Sequence, residues 1–136
     1  MVCALPLQHV SETMRPLPLE SVQSMPDFLL GLSIIRGTPI PVVDLARLVG
    51  NGVPEAPARL VVVSVAERRV ALAVQAVLDV RTLDPAALGK LPPLLTDASA
   101  EFIGAVGALD TQLLMVLNTA KILPGSIWAE LESKSA

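Results

Sequence analysis

Aromatic residues make up only 2% of this 136-residue chain: one Trp, two Phe and no Tyr. A core without large rings must be filled by Val, Leu, Ile and Ala, which suits small β-barrels with tapered interiors. One cysteine, Cys3, excludes an internal disulfide framework, and it reads as a small apolar side chain of a strand. One histidine, His9, excludes the His/Cys clusters of a zinc site. No metal and no cofactor are therefore expected. Runs of Lys or Arg are absent and the net charge is −3, which argues against nucleic acid or an anionic membrane as the main partner. No apolar stretch reaches the roughly 18 residues of a membrane span, and the N-terminus has no secretory pattern. The cytoplasm is the expected compartment, without membrane insertion.

Apolar residues are abundant, at 52% of the chain. At this length one domain, or two small lobes sharing a core, can bury enough surface to fold without staples. The apolar surplus also suggests that some hydrophobic surface is reserved for partners. Short apolar runs bounded by Gly, Pro, Asp or charged pairs mark strands at 2–7, 32–36, 38–43, 60–65, 70–77, 103–109 and 113–117. Glu67, Arg68 and Arg69 read as one hairpin tip, and Asp110, Thr111 and Gln112 as another. Short helices are expected at 26–30, closed by Gly31, at 45–49 after Asp44, and at 126–133 after the Pro124-Gly125 break. Residues 51–57 and 83–93 read as loops.

The chain repeats itself. "ALPLQHVSE" at 4–12 lies over "ALAVQAVLD" at 71–79, an offset of 67. A second echo follows each copy: Gly31 through the Arg36-Gly37 turn to Asp44 and Arg47 parallels Gly104 through Asp110 to Asn118 and Lys121. Its offset is 74, taken from Asp44 to Asn118. A full strand and hairpin, 60–69, precedes the second copy, whereas the first begins at Met1. The expectation is a first lobe without its opening strand, and hence an open edge through which the chain could self-associate.

The most unusual stretch is "IIRGTPIPVVDLARL" at 34–48, an apolar strand entering Arg-Gly, then a proline-bearing strand, an acid and a short helix. It resembles the matching stretch of the CheW-like family, the chemotaxis coupling proteins. "ALPLQHVSETMRPLPLESVQSMPDFLLGL" resembles the family's first lobe. "RLVVVSVAERRVALAVQAVLDV" and "FIGAVGALDTQLLMVLNTAKIL" resemble its second. The chain departs from the family at its start, at Gln75 in the "V-D-x-V" segment and at Ala71 in place of glycine. The resemblance implies a mainly β fold of two five-stranded, SH3-like barrel lobes with short helices and no active site. Lobe one would cover about 1–58, lobe two about 59–123, and a terminal helix about 125–134. It implies a non-enzymatic adaptor that couples methyl-accepting chemoreceptors to the regulatory domain of the histidine kinase CheA. The alternative is a divergent or self-associating CheW-like regulator outside the receptor array.

Individual residues carry two readings each. Asp44 reads as a helix N-cap, and Asn118 as its counterpart. Pro39 and Pro41 put their missing N–H groups on one strand edge, which is either simply protected or meets a partner through side chains. Arg36, held by a tight turn beside apolar surface, makes a fork for carboxylates or carbonyls. The resemblance ties it to kinase and receptor coupling. Val10 and Glu12 match family positions at a groove or kinase contact. For Val10 core and interface stay open, and Glu12 can equally be a solvated charge. Their repeat partners, Val77 and Asp79, share that ambiguity. A carboxylate enzyme built on Asp44 and Asp110 lacks a nucleophile–base pair and a phosphate-binding glycine loop.

Overall fold

The computed structural model describes residues 2–50, 56–84, 86, 88–89, 101–109 and 112–134. Among these residues eight strands and two α-helices follow in order: β1 (Val2–Ala4), β2 (Val10–Met14), β3 (Leu29–Ile35), β4 (Thr38–Asp44), α1 (Leu45–Leu48), β5 (Arg59–Val65), β6 (Arg68–Val74), β7 (Ile103–Leu109), β8 (Gln112–Leu117) and α2 (Gly125–Lys134). They divide into two compact units, one made of Gln8–Asp79 and the other of Met1–Leu7 with Val80–Ala136.

The 8–79 unit is a five-stranded sheet in the order β2-β5-β6-β4-β3. Two antiparallel hairpins, β3/β4 and β5/β6, are joined by a parallel pairing of β4 with β6. That pairing begins only at Val42, opposite Ala71, and runs to Asp44 opposite Ala73. The prolines explain the late start. Pro39 and Pro41 face Ile34 and Leu32 of β3 at positions where a two-residue hairpin makes no hydrogen bonds, so their nitrogens point to the β6 side. Without N–H groups they cannot extend that ladder. Ile35, Ile40, Val42, Leu60, Val62, Ala71 and Ala73 form a buried cluster on one face, with Met14 and Leu30 packed against it, and Val43, Val61, Val63, Val70 and Leu72 are buried as well. β-Branched residues suit such a pleated surface, and the two alanines fit where β6 is hemmed in on both edges.

In the second unit the described residues form a three-stranded sheet, β1-β8-β7, followed by a 3₁₀ turn at Thr119–Lys121 and α2. Ile127 and Trp128 on α2 are half-buried and Leu131 is buried, so one helical stripe carries its apolar groups. Here β1 pairs in parallel with β8 from Leu114 to Val116. Leu114 corresponds to Ile40 in the repeat. Where Leu113 and Met115 stand in place of the two prolines, the parallel ladder starts two residues earlier.

The echo between β3/β4 and β7/β8 keeps one register throughout. Both hairpins carry a bulge at the start, between Leu29 and Gly31 and between Ile103 and Ala105. Both close with the same backbone bond: Asp44 N–H donates to Phe28 O at 2.8 Å, and Asn118 N–H to Phe102 O at 2.7 Å. At that offset Gly31 lies over Ala105, so its match to Gly104 is coincidental. The 4–12 copy contains the passage of the chain from one unit to the other, and the 71–79 copy ends at the return passage.

Several sequence expectations are corrected. The 2–7 strand stops at Ala4, because Pro6 cannot donate to a ladder, and Leu7–His9 turn into a 3₁₀ segment. β2 is not visible in the sequence: in "VSETM" the half-buried Val10, Glu12 and Met14 alternate with exposed Ser11 and Thr13, and the acid breaks the apolar pattern. Residues 26–30 form no helix. Leu29 N–H bonds Pro26 O at 3.0 Å, closing a turn, and β3 then captures Leu29 opposite Val43. The β5/β6 tip is Ala66 and Glu67, with Arg68 and Arg69 already paired in β6, and β6 ends at Val74. Gln112 is the first residue of β8, while Asp110, Thr111, residues 51–55 and most of 85–93 lie outside the described residues. The boundary expected near 58 falls inside one sheet, because β5 and β6 complete the strands of residues 8–44. The described unit with fewer strands is therefore the one holding 80–134.

Gly31 has φ +145° beside the Glu20–Leu32 bridge, and a Cβ there would run into the carbonyl oxygen of Glu20. Gly31→Ala is expected to cost about 2–4 kcal/mol. Gly37→Ala, at φ +78° but in open space, should cost roughly 1 kcal/mol. Urea unfolding of the two variants separates these values.

Candidate partner-binding site

The β3/β4 hairpin turns through two residues, Arg36 and Gly37, with Ile35 opposite Thr38. Both central φ values are positive, +53° and +78°, the signature of a type I′ turn, whose twist matches the strands it joins. Glycine takes the second position at no cost. Arginine in the first does not, since Asn, Asp or Gly would be less strained by about 1 kcal/mol. An arginine kept at such a position is the kind of outlier from which a functional role is inferred.

Its guanidinium forks onto Glu12 of β2, with Nη2 to Oε2 at 2.8 Å and Nε to Oε1 at 3.3 Å. β2 and β3 are the outer strands of the five-stranded sheet, so this pair bridges its two ends. The Glu12 side chain is 26% exposed and that of Arg36 74%, leaving most of the arginine to solvent. The hydrogen bond from Arg36 holds the Glu12 carboxyl below its ordinary range, with the charges of Arg36 and Arg69 acting the same way. Glu12 in turn pushes the Arg36 guanidinium up.

Not every expected residue joins this pair. A bulge in β2 sets Val10 opposite Val63 but Glu12 opposite Val62. Neighbouring residues of β5 point to opposite faces, so Val10 and Glu12 do too, despite their i, i+2 spacing. Pro41 is buried, which removes it from any contact surface, whereas Pro39 is exposed. Opposite Pro39 stands Ile34, 58% exposed. β3 thus turns Ile34 outward while burying Ser33, whose hydroxyl donates to Pro18 O at 2.9 Å. Ile34 was not singled out from sequence, although the one-residue step from Ser33 to Ile34 is the signal that could have found it. The site is an apolar pair, Ile34 and Pro39, beside a mostly solvated arginine fork.

Asp44 accepts from the N–H groups of Ala46 and Arg47 at 3.1 and 3.4 Å, and Arg47 returns an ion pair at 3.4 Å while also donating to Asp27 O. Asn118 holds the equivalent position but makes no side-chain cap bond, which corrects the expected symmetry. The turn it precedes is a single 3₁₀ turn with few N–H groups to satisfy. Cys3 is half-buried, and burial raises its thiol pKa.

A family model for the CheW-like domain matches residues 1–126. The chain belongs to the CheW-like domain family. It is similar to the probable chemotaxis protein CheW of Rhizobium etli, with 26% identity over 121 residues, covering 88% of this chain and 75% of that protein. The chemotaxis protein CheW of Klebsiella aerogenes is 26% identical over 104 residues, 75% of this chain and 63% of that one. The fold of the scaffolding protein TtCheW from Thermoanaerobacter tengcongensis matches with a TM-score of 0.76 at 24% identity, covering 88% of this chain and 79% of that chain. A mainly β chain with two sheets and few helices is what this CheW-like domain adopts. Among the described residues no helix is long and apolar enough to cross a membrane.

Because the Glu12 pKa is lowered in the folded chain, the Arg36 pair contributes stability above the unfolded carboxylate value of about 4.3. It loses that contribution as pH falls through the lower folded value. The Tm difference between the native chain and Glu12→Gln should therefore hold at neutral pH and vanish in acid. Thermal melts across pH test this. Asp44→Ala should cost about 1 kcal/mol by chemical unfolding, and Asn118→Ala close to nothing.

Proposed function

We propose that this chain is a non-enzymatic, cytoplasmic adaptor that couples chemoreceptors to the regulatory domain of the histidine kinase CheA. Family membership and the scaffolding and chemotaxis names of its relatives support the reading. The contact patch is Arg36 with Ile34, Pro39 and Glu12. The single observation that carries it is the arginine in a left-handed turn position, pinned by Glu12 yet 74% exposed. Such a side chain spends conformational strain to present a charge next to an apolar pair. Interfaces draw their binding energy from this combination, an ordered Arg fork beside apolar groups that lose water. Coupling requires only that receptor and kinase contacts favour the same arrangement of the adaptor, with no chemistry at the site.

Arg36→Gly relieves the turn while removing the fork, so its Tm should stay within a few degrees of the native value. Arg36→Glu reverses the charge beside Glu12. Both variants should remain folded by circular dichroism yet lose at least about tenfold in affinity for a CheA-type regulatory domain or a receptor-tip fragment. Pull-down and calorimetry with each partner measure this. Unchanged binding to both partners would overturn the assignment of Arg36.

A further inference from the structure

The buried cluster of the five-stranded sheet ends in a polar rim. Beyond Val62 and Ala71, paired across β5 and β6, the next rung on the same face is Ser64 opposite Arg69. Glu12 of β2 stands opposite Val62 and belongs to that face too. Arg36 follows Ile35, a member of the cluster, and reaches Glu12 through its Nε and Nη2 groups. Ser11, the extra residue of the β2 bulge, shares a 2.6 Å hydrogen bond with the Ser64 hydroxyl. β4 and β6 run parallel, so the Arg36-Gly37 turn before β4 and the Ala66-Glu67 tip before β6 lie at the same end of the sheet. Ser11, Glu12, Arg36, Ser64 and Arg69 therefore meet there, although they come from four separate parts of the chain.

This rim has donors to spare. Glu12 occupies Nε and Nη2 of Arg36, which leaves the Nη1 donors on a side chain 74% exposed. Arg69 is exposed, and among the described residues no hydrogen bond or ion pair holds its guanidinium. Its charge still reaches Glu12, whose carboxyl it helps to hold low. Two hydroxyls bonded to each other use one hydrogen between them, so the Ser11–Ser64 pair has one more to donate. Two guanidiniums against one carboxylate make the rim positive by one charge, in a chain whose net charge is −3. At the tip, Glu67 is balanced by Arg68, whose place in β6 sets it on the opposite face from Arg69.

We propose that Arg36 and Arg69 together receive one acidic side chain of a partner protein, with Glu12 between them as the positioning group. A carboxylate accepts on both oxygens, which matches a rim of unfilled donors with a positive excess. The inference deepens the coupling role and rests on it. Ile34 and Ile35 point to opposite faces, so the contact runs from Ile34 and Pro39 over the turn and onto the end of the sheet. Arg69 is then a specificity residue: it favours a partner that places a carboxylate at the rim over one that does not.

The test measures, by calorimetry, the affinity of the intact chain for a CheA-type regulatory domain and for a receptor-tip fragment. Arg69→Gln keeps a long polar side chain at an exposed strand position and should weaken one of the two complexes at least about fivefold. Arg69→Lys should keep most of the affinity. The loss in Arg69→Gln should shrink in ~1 M salt, where charges are screened within about 3 Å. Arg69→Glu should be rescued by changing one Asp or Glu of the affected partner to Arg. If Arg69→Gln binds both partners as the native chain does while Arg36→Glu does not, this inference falls and the coupling role stands. If neither variant loses affinity, both fall. An equal loss in Arg69→Lys, a loss indifferent to salt, or failure of every partner reversal also overturns the inference, because the contact is then not with a carboxylate.

Discussion

Two N–H groups that β4 does not have determine how the larger sheet is assembled. Pro39 and Pro41 deny β6 a ladder along the first half of β4, so the parallel pairing begins at Val42. From Val42 on, the β3/β4 and β5/β6 hairpins become one sheet, and Ile40, Val42, Leu60, Val62 and the two alanines of β6 meet in one core. The first half of β4 stays committed to β3 alone. That leaves the Arg36-Gly37 turn projecting, with Ile34 and Pro39 exposed beside it. The prolines therefore shape both the packing and the presentation of the site. β8 gives the internal comparison, since without prolines its parallel ladder with β1 reaches back to Leu114.

The two hairpin copies share a scaffold and differ in the side chains they carry on it. Both hairpins keep the opening bulge and the closing backbone bond to a phenylalanine carbonyl, features that fix backbone geometry. The decoration differs. Only the first copy has the prolines and the arginine with a glutamate partner, and only the first has a side-chain cap, from Asp44. The backbone differs where those residues act: the parallel ladder of β4 starts later than that of β8, and the capped segment is an α-helix rather than a single 3₁₀ turn. The ion pair itself adds little energy, because Arg36 is mostly solvated. Its consequence is geometric: it holds a flexible side chain in one direction above an apolar pair, which lowers the entropy lost when a partner docks.

The repeat also explains where the chain changes units. A strand that leaves one sheet must lead into the other, so the duplicated segment is the connector, and neither half of the sequence builds a unit alone. This is why a boundary near residue 58 was a natural expectation and why it fails. Sequence-adjacent strands are usually neighbours in space, but β5 and β6 pair back into the sheet of residues 8–44.

Much was legible before any coordinates. Alternating apolar runs located β3 to β8 to within a few residues, the Arg-Gly pair marked a tight turn, and Asp44 announced a cap, because each of these is a local property of a few neighbouring residues. Family character was legible in the order of motifs along nearly the whole chain. What stayed hidden depended on partners distant in sequence. β2 becomes a strand only because β5 accepts it, and its bulge, invisible in "VSETM", sends Val10 and Glu12 to opposite faces. Leu29 leaves a turn for a strand because Val43 awaits it, and Gly31 follows opposite Val42. Ile34 and Pro41 share one face of the β3/β4 hairpin, and place along it separates them: Ile34 is exposed near the turn, and Pro41 is buried where β4 begins to pair with β6. Composition and local pattern determined the elements and the family. Tertiary pairing decided register and face, since a strand's side chains alternate and one residue of slip exchanges inside for outside.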